Sequence, residues 1–151
     1  MEIKIDDLSG GEVVSLLEEH LADMYATSPA ESVHALDVEA LKSPNITFFS
    51  AWIENSIAGC IAIKTLSDSD AEIKSMRTAQ SLRGKGVASI LLEHAINFAK
   101  ENGYTRISLE TGTQDFFLPA RKLYKKYGFQ ECGPFSTYEL DPNSLFMMLN
   151  I

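Results

Sequence analysis

The stretch that most constrains this chain runs from Ser75 to Leu92, Ser-Met-Arg-Thr-Ala-Gln-Ser-Leu-Arg-Gly-Lys-Gly-Val-Ala-Ser-Ile-Leu-Leu. It begins at the end of a strand-like alternation and finishes in apolar residues at helical spacing, so a strand passes through a glycine-rich turn into an amphipathic helix. Gly84 and Gly86 permit close backbone approach, and the first turn of the helix leaves amides without intrahelical acceptors. Arg83 and Lys85 add positive charge beside those amides. The turn is therefore a cradle for an anion, and a phosphate or pyrophosphate suits it best.

Two common phosphate-binding patterns are excluded. Gly-x-x-x-x-Gly-Lys-Ser/Thr is absent, and Gly84-x-Gly86-x-x-Ser89 lacks the third glycine of the dinucleotide fingerprint. The cradle also follows strands of antiparallel character instead of opening the chain, which sets aside ATPase and dehydrogenase chemistry.

The rest of the chain supplies the setting. Residues 1–5 read as an edge strand. Residues 12–24 form an amphipathic helix on Val13, Leu16, Leu17, Leu21 and Met24, with His20 expected on its partly exposed side. Ser28-Pro29 breaks that helix, and residues 25–43 form either a substrate-facing flap carrying Glu31 and His34 or an ordinary connection, with Asp37 as an N-cap. Residues 46–53 and 57–65 make a hairpin through Glu54-Asn55-Ser56. In the third strand, 71–77, simple alternation places Glu72, Lys74 and Met76 on one face and Ile73 and Ser75 on the other. The helix after the cradle covers about 86–102 and ends at Gly103. That crossover makes the strand at 104–111 parallel to 71–77. A loop at 112–118, a short helix from Pro119 to Lys126 ended by Gly128, and strands at 129–132 and 144–149 complete the chain. The expected architecture is a single α/β domain over residues 1–151, with a mixed, mostly antiparallel sheet.

Charge narrows the ligand classes. Residues 1–45 hold ten carboxylates and two lysines, which accounts for the whole net charge of −8, whereas residues 77–126 hold nine Arg or Lys against four acidic residues. The middle suits an anionic ligand and the acidic first third would tolerate a cationic one. No broad basic patch supports nucleic acid. No run of 18 apolar residues and no export segment is present, so no membrane partner and a cytoplasmic location are expected. Cys60 and Cys132 form no C-x-x-C pair and read as buried small hydrophobes, with no metal site signalled.

Glu-Ile-Lys-Ser-Met-Arg-Thr before Arg83-Gly-Lys-Gly-Val-Ala88, followed by Ala120-Arg-Lys-Leu-Tyr-Lys-Lys-Tyr-Gly-Phe129, resembles the acetyl-CoA-dependent N-acetyltransferases of the GCN5-related superfamily. Arg83, Gly86 and Ala88 meet that family's phosphate-binding pattern. The resemblance is strong over residues 46–132 and looser elsewhere. It implies an acyl-CoA N-acyltransferase fold whose two central parallel strands, 71–77 and 105–111, splay apart to admit the pantetheine arm. It implies acetyl-CoA as cosubstrate, with the amides of Gly84, Lys85, Gly86, Val87, Ala88 and Ser89 holding the pyrophosphate and Arg83 assisting. Main-chain groups of Ser75, Met76 and Arg77 would bond to the arm and polarise the thioester carbonyl, where acyl transfer builds negative charge. Tyr124 corresponds to the tyrosine that protonates the departing thiolate.

The acceptor is less defined. An ammonium must lose a proton before its nitrogen attacks, and Glu72 is the leading base, with a solvated edge glutamate as the plain alternative and His34 as the second candidate. Glu110 or Asp115 could meet an amine, whereas Arg77 and Arg121 could select a carboxylate. Trp52, Phe116 and Phe117 could line a channel, and Phe117 stands where many relatives of the family carry Asn. A small-molecule primary amine is the expected acceptor, attacking directly in a ternary complex. A peptide or protein amine, or a non-catalytic acetyl-CoA-binding module, is the alternative, and a homodimer through an edge strand or through residues 133–143 is compatible with the pattern.

Overall fold

The computed structural model describes residues 1–151, folded around one seven-stranded sheet. The chain runs β1 (Glu2–Ile5), α1 (Gly11–Thr27), α2 (Val38–Leu41), β2 (Ile46–Ile53), β3 (Ser56–Thr65), β4 (Asp70–Thr78), α3 (Val87–Glu101), β5 (Arg106–Gly112), α4 (Leu118–Lys126), β6 (Gln130–Cys132) and β7 (Ser144–Asn150). Strand order is β1-β2-β3-β4-β5-β7-β6, and only β4 and β5 are parallel. The element order and the mixed topology follow the sequence reading, with boundaries shifted by at most two residues except at the end of α1, which runs three residues beyond Met24 to Thr27, just before Ser28-Pro29.

Local chemistry explains the elements. Glu54 and Asn55 both take positive φ, 48° and 68°, which closes the two-residue β2–β3 hairpin with the twist its strands require. The Asp37 carboxylate accepts from the Ala40 amide and starts α2. Alternation along β2, β3 and β4 then divides the core. Phe49, Ile61, Ile63 and Ile73 pack under α3 with Leu91, Leu92 and Ala95, while Phe48, Cys60 and Ala62 pack under α1 with Val13, Leu16 and Leu17. Cys60 is fully buried and Cys132 is partly exposed; both thiols are free.

Two irregularities place the site. Pairing of β4 with β5 covers only Asp70↔Arg106, Ala71↔Ile107 and Glu72↔Ser108, although β4 stays paired to β3 through Thr78 and β5 to β7 through Gly112. The two central strands therefore diverge toward their C-terminal ends and open a wedge. In β4, Lys74 opposes Ala62 and Arg77 opposes Cys60, so one residue too many lies between them, and Ser75 takes a left-handed φ of 53°. This is a β-bulge, which bends and twists the strand it occupies. It also corrects the simple alternation: Met76 turns to the α3 side, and Arg77 joins Glu72 and Lys74 on the α1 side.

Candidate active site

A cavity of about 710 Å³ fills the wedge. One end is the glycine turn. Gly84 and Gly86 hold φ of 78° and 86°, a region that glycine enters without a Cβ penalty, and Gly86 caps the 15-residue α3. The first helical bond is donated by Ile90 to the Gly86 carbonyl, and no amide from residue 84 to 89 donates to an acceptor within the chain. A Cβ built on Gly84 or Gly86 would meet nothing within 4 Å, so the space in front of these amides is open. Six unpartnered donors at a helix N-terminus fit a diphosphate. Gly84, Gly86, Val87, Ala88 and Ser89 line the cavity with Arg83, whereas the exposed Lys85 lies outside its lining.

Along the wedge, Ser75, Met76 and Arg77 form one wall at the bulge. Arg77 is buried and bound to α1. Its Nη1 donates to Asp23 Oδ2 at 2.9 Å, and Glu19 lies 3.7 Å from Nη2. Arg121 donates to the carbonyls of Gly112 and Gln114. Both guanidiniums expected to select a carboxylate are thus occupied by the fold. His20 is partly exposed, as expected, but its exposed side is on the cavity, where burial first, then the Arg77 charge, push its imidazole down to about 4.

Tyr124, from α4, is 7% exposed and reaches the cavity between the diverging strands. Burial, with the Glu110 charge adding to it, raises its phenol well above the ordinary tyrosine range, so it keeps its proton. Phe116 and Phe117 line the same space, and Phe117 packs directly over Gly112. Trp52 does not line the cavity. It sits on the α1 side, donating to Ser50 at 2.9 Å under the Lys4 ammonium. Asp115 is likewise outside the lining.

The far end is a polar cluster that the sequence reading caught only in part. Glu72 is 2% exposed, so it is no solvated edge residue; it accepts from the Tyr138 hydroxyl and, at 3.4 Å, from Lys74 Nζ. Lys74 also donates to Tyr138 Oη at 2.8 Å. Burial and the neighbouring Glu72 carboxylate push the Tyr138 phenol far up. Tyr138 comes from the irregular segment between β6 and β7, where no periodicity marks it; the Glu72-x-Lys74 spacing was the available signal for the lysine. Glu110, on β5, also lines the cavity, and burial raises its carboxyl to about 7. His34 packs edge-on against Tyr138 with ring centroids 5.0 Å apart. Ser32 donates to Asp141 at 2.6 Å, which pins the 25–43 segment to the 133–143 segment across this end.

Comparison with known proteins agrees with this geometry. The model of the acetyltransferase (GNAT) family matches residues 13–129. An uncharacterized N-acetyltransferase of Bacillus subtilis (strain 168), YsnE, is 56% identical over 97% of this chain and 97% of its own. An IAA acetyltransferase of Azospirillum brasilense is 39% identical over 89% of this chain and 88% of its own. The crystal structure of a GNAT family acetyltransferase from Elizabethkingia anophelis with acetyl-CoA bound superposes with a TM-score of 0.72, covering 99% of this chain and 97% of that one at 18% identity.

Proposed function

The chain belongs to the acetyltransferase (GNAT) family, and from that premise we propose that it moves an acetyl group from acetyl-CoA to a primary amine of a small molecule by direct attack in a ternary complex. The observation that carries this reading is the single wedge joining an anion cradle at one end to Tyr124 and a buried acid–base cluster at the other.

Acetyl-CoA supplies a thioester-activated acetyl group on a diphosphate-bearing handle. The amides of residues 84–89 and the Arg83 side chain hold the diphosphate, with Lys85 adding charge from outside the cavity. The bulge at Ser75 and Met76 interrupts the regular ladder to β3, which frees backbone groups there to bond the arm and to stabilise charge on the thioester oxygen. Tyr124 Oη holds the proton that the leaving sulfur takes. Glu72, the expected base, has its Oε2 committed to Tyr138 and Lys74, and its part in this reading is to hold both in place.

The pinned Ser32–Asp141 contact closes the acceptor end, which favours a small molecule over an extended peptide. Free thiols and the absence of a helix long and apolar enough to cross a membrane support a cytoplasmic location. Any pairing of two copies would use the open β1 or β6 edge or the 133–143 segment, and light scattering decides whether it occurs.

A turnover screen across amino acids, polyamines, aminoglycosides, arylamines and short peptides, with mass detection, tests the reading. An acetylated small amine is the expected product. Acetyl-CoA binding without any product would instead make the chain a binding module, and product only from peptides would reassign the acceptor.

A further inference from the structure

Resting on the acetyl-transfer reading, we propose that Glu110, rather than Glu72, receives the proton that the acceptor ammonium must lose, and that Glu72 is a positioning residue for Lys74 and Tyr138. The argument starts from the ladder. Parallel pairing of the central strands stops at Glu72↔Ser108. Ile107 and Leu109 point into the core under α3, so Ser108 and Glu110 share the opposite face, the face of Glu72 and Lys74. Lys74 and Glu110 are therefore the first residues of that face on either side of the opening. Both line the cavity, as does Tyr124.

The two carboxylates differ in what holds them. Glu72 sits at the last paired position of the ladder, is 2% exposed, and its Oε2 carries both a tyrosine hydroxyl and an ammonium, which tie it to Tyr138 and Lys74. Glu110 lies past the end of the ladder and is only partly buried, and the donor beside it is the otherwise unpartnered hydroxyl of Ser144 on β7. The groups facing Glu110 are Glu72 and Lys74 from β4, Tyr138 and Asp141 from the 133–143 segment, and Tyr124 from α4. Burial first, and then the two neighbouring carboxylates, raise it, while the Ser144 hydroxyl and Lys74 lower it, which leaves it near neutrality and able both to take a proton and to return it to water. In the step, an N–H bond of the ammonium breaks and an O–H bond forms on the Glu110 carboxylate. The electron pair stays on nitrogen as the lone pair that attacks.

The first test needs no acceptor. Carbon-13 NMR of the side-chain carboxyls of the free protein is expected to show one glutamate titrating near 7, absent in Glu110→Gln. Glu72→Gln is expected to move that midpoint down by removing a negative neighbour, and Lys74→Met to move it up. A Glu110 resonance titrating in the ordinary carboxylate range overturns the proposal. The second test uses the alkylamine that the turnover screen returns, and hydroxylamine, which is largely neutral at pH 7. Glu110→Gln is expected to lose about 10²–10⁴-fold in kcat/KM with the alkylamine, together with the limb near pH 7, and to lose much less with hydroxylamine. Retention of that limb in Glu110→Gln, or its loss in Glu72→Gln alone, overturns the proposal. A silent screen would fail the acetyl-transfer reading instead, and the titration would still decide whether Glu110 has the ionisation this role demands.

Discussion

At the scale of single residues, the roles proposed for Tyr124 and Gly86 can be told apart, one in chemistry and the other in binding. Tyr124 packs against Phe129 with ring centroids 5.8 Å apart, and that packing survives removal of the hydroxyl. Tyr124→Phe is expected to lower turnover by about 10²–10⁴-fold while leaving acetyl-CoA affinity within a factor of two or so, as read by calorimetry alongside steady-state rates. The role proposed for Gly86 is the converse. A branched side chain at φ 86° is strained by roughly 1–3 kcal/mol and stands in the space before the amides, so Gly86→Val is expected to weaken acetyl-CoA binding by about tenfold or more. Equal affinity in a folded Gly86→Val would remove the cradle from the site. His20 gives a pH signature. Its folded value, near 4, lies below the 6.5 of the exposed imidazole, so its contribution to stability is complete above 6.5 and is lost as pH falls toward 4. His20→Gln is expected to flatten the fall in urea midpoint over that window, a difference on the order of 2 kcal/mol.

At the scale of elements, two contacts shape the wedge. The bulge in β4 holds Ser75 in a left-handed conformation, which glycine adopts freely and a β-branched residue does not. Ser75→Gly is expected to be neutral or stabilising by a few tenths of a kcal/mol, and Ser75→Val to cost about 1–3 kcal/mol, in chemical denaturation. A stable Ser75→Val would mean that β4 can straighten, and the alternation that places Arg77 beside α1 would then need another cause. The second contact is that tether itself. Asp23 bonds the buried Arg77 guanidinium, whose Nε already lacks a partner, and Asp23→Ala leaves Arg77 with only the more distant Glu19. A loss of about 1–3 kcal/mol is expected, since a buried charge gives up its main partner. Gly59 shows how tightly the opposite wall is packed. A Cβ there would lie 2.6 Å from the Arg77 carbonyl and 2.9 Å from Leu91 Cδ1, which is why no larger residue fits between β3 and α3.

At the scale of the molecule, the site exists only because distant segments meet. The cradle follows β4, Tyr124 belongs to α4, and the far end of the cavity is lined from segments 25–43 and 133–143, so the unfolded chain offers acetyl-CoA no comparable surface. A ligand that binds only the folded state at 100 times its dissociation constant adds about 2.7 kcal/mol, and for a domain of this length that is roughly 5–10 °C in Tm. Thermal denaturation with saturating acetyl-CoA is expected to show a rise of that order, much reduced in Gly86→Val. No rise at saturating ligand would mean that the wedge does not take the cosubstrate.

The sequence alone determined the parts governed by local rules. Helical spacing marked α1 and α3, the Glu54-Asn55 turn marked the hairpin, the crossover fixed β5 parallel to β4, and the run from Arg83 to Ser89 marked the anion cradle, because spacing, turn chemistry and unpaired helix amides act within a few residues. Tertiary structure decided the rest. The extra residue at the bulge moved Met76 and Arg77 to faces that strict alternation does not give them. Packing set the partly exposed His20 on the cavity, occupied Arg77 and Arg121, and brought Tyr138 across 66 positions to Glu72. Burial, charge and hydrogen-bond occupancy at the acceptor end are sums over neighbours from β4, β5, α4 and the 133–143 segment, and only the folded chain assembles those neighbours.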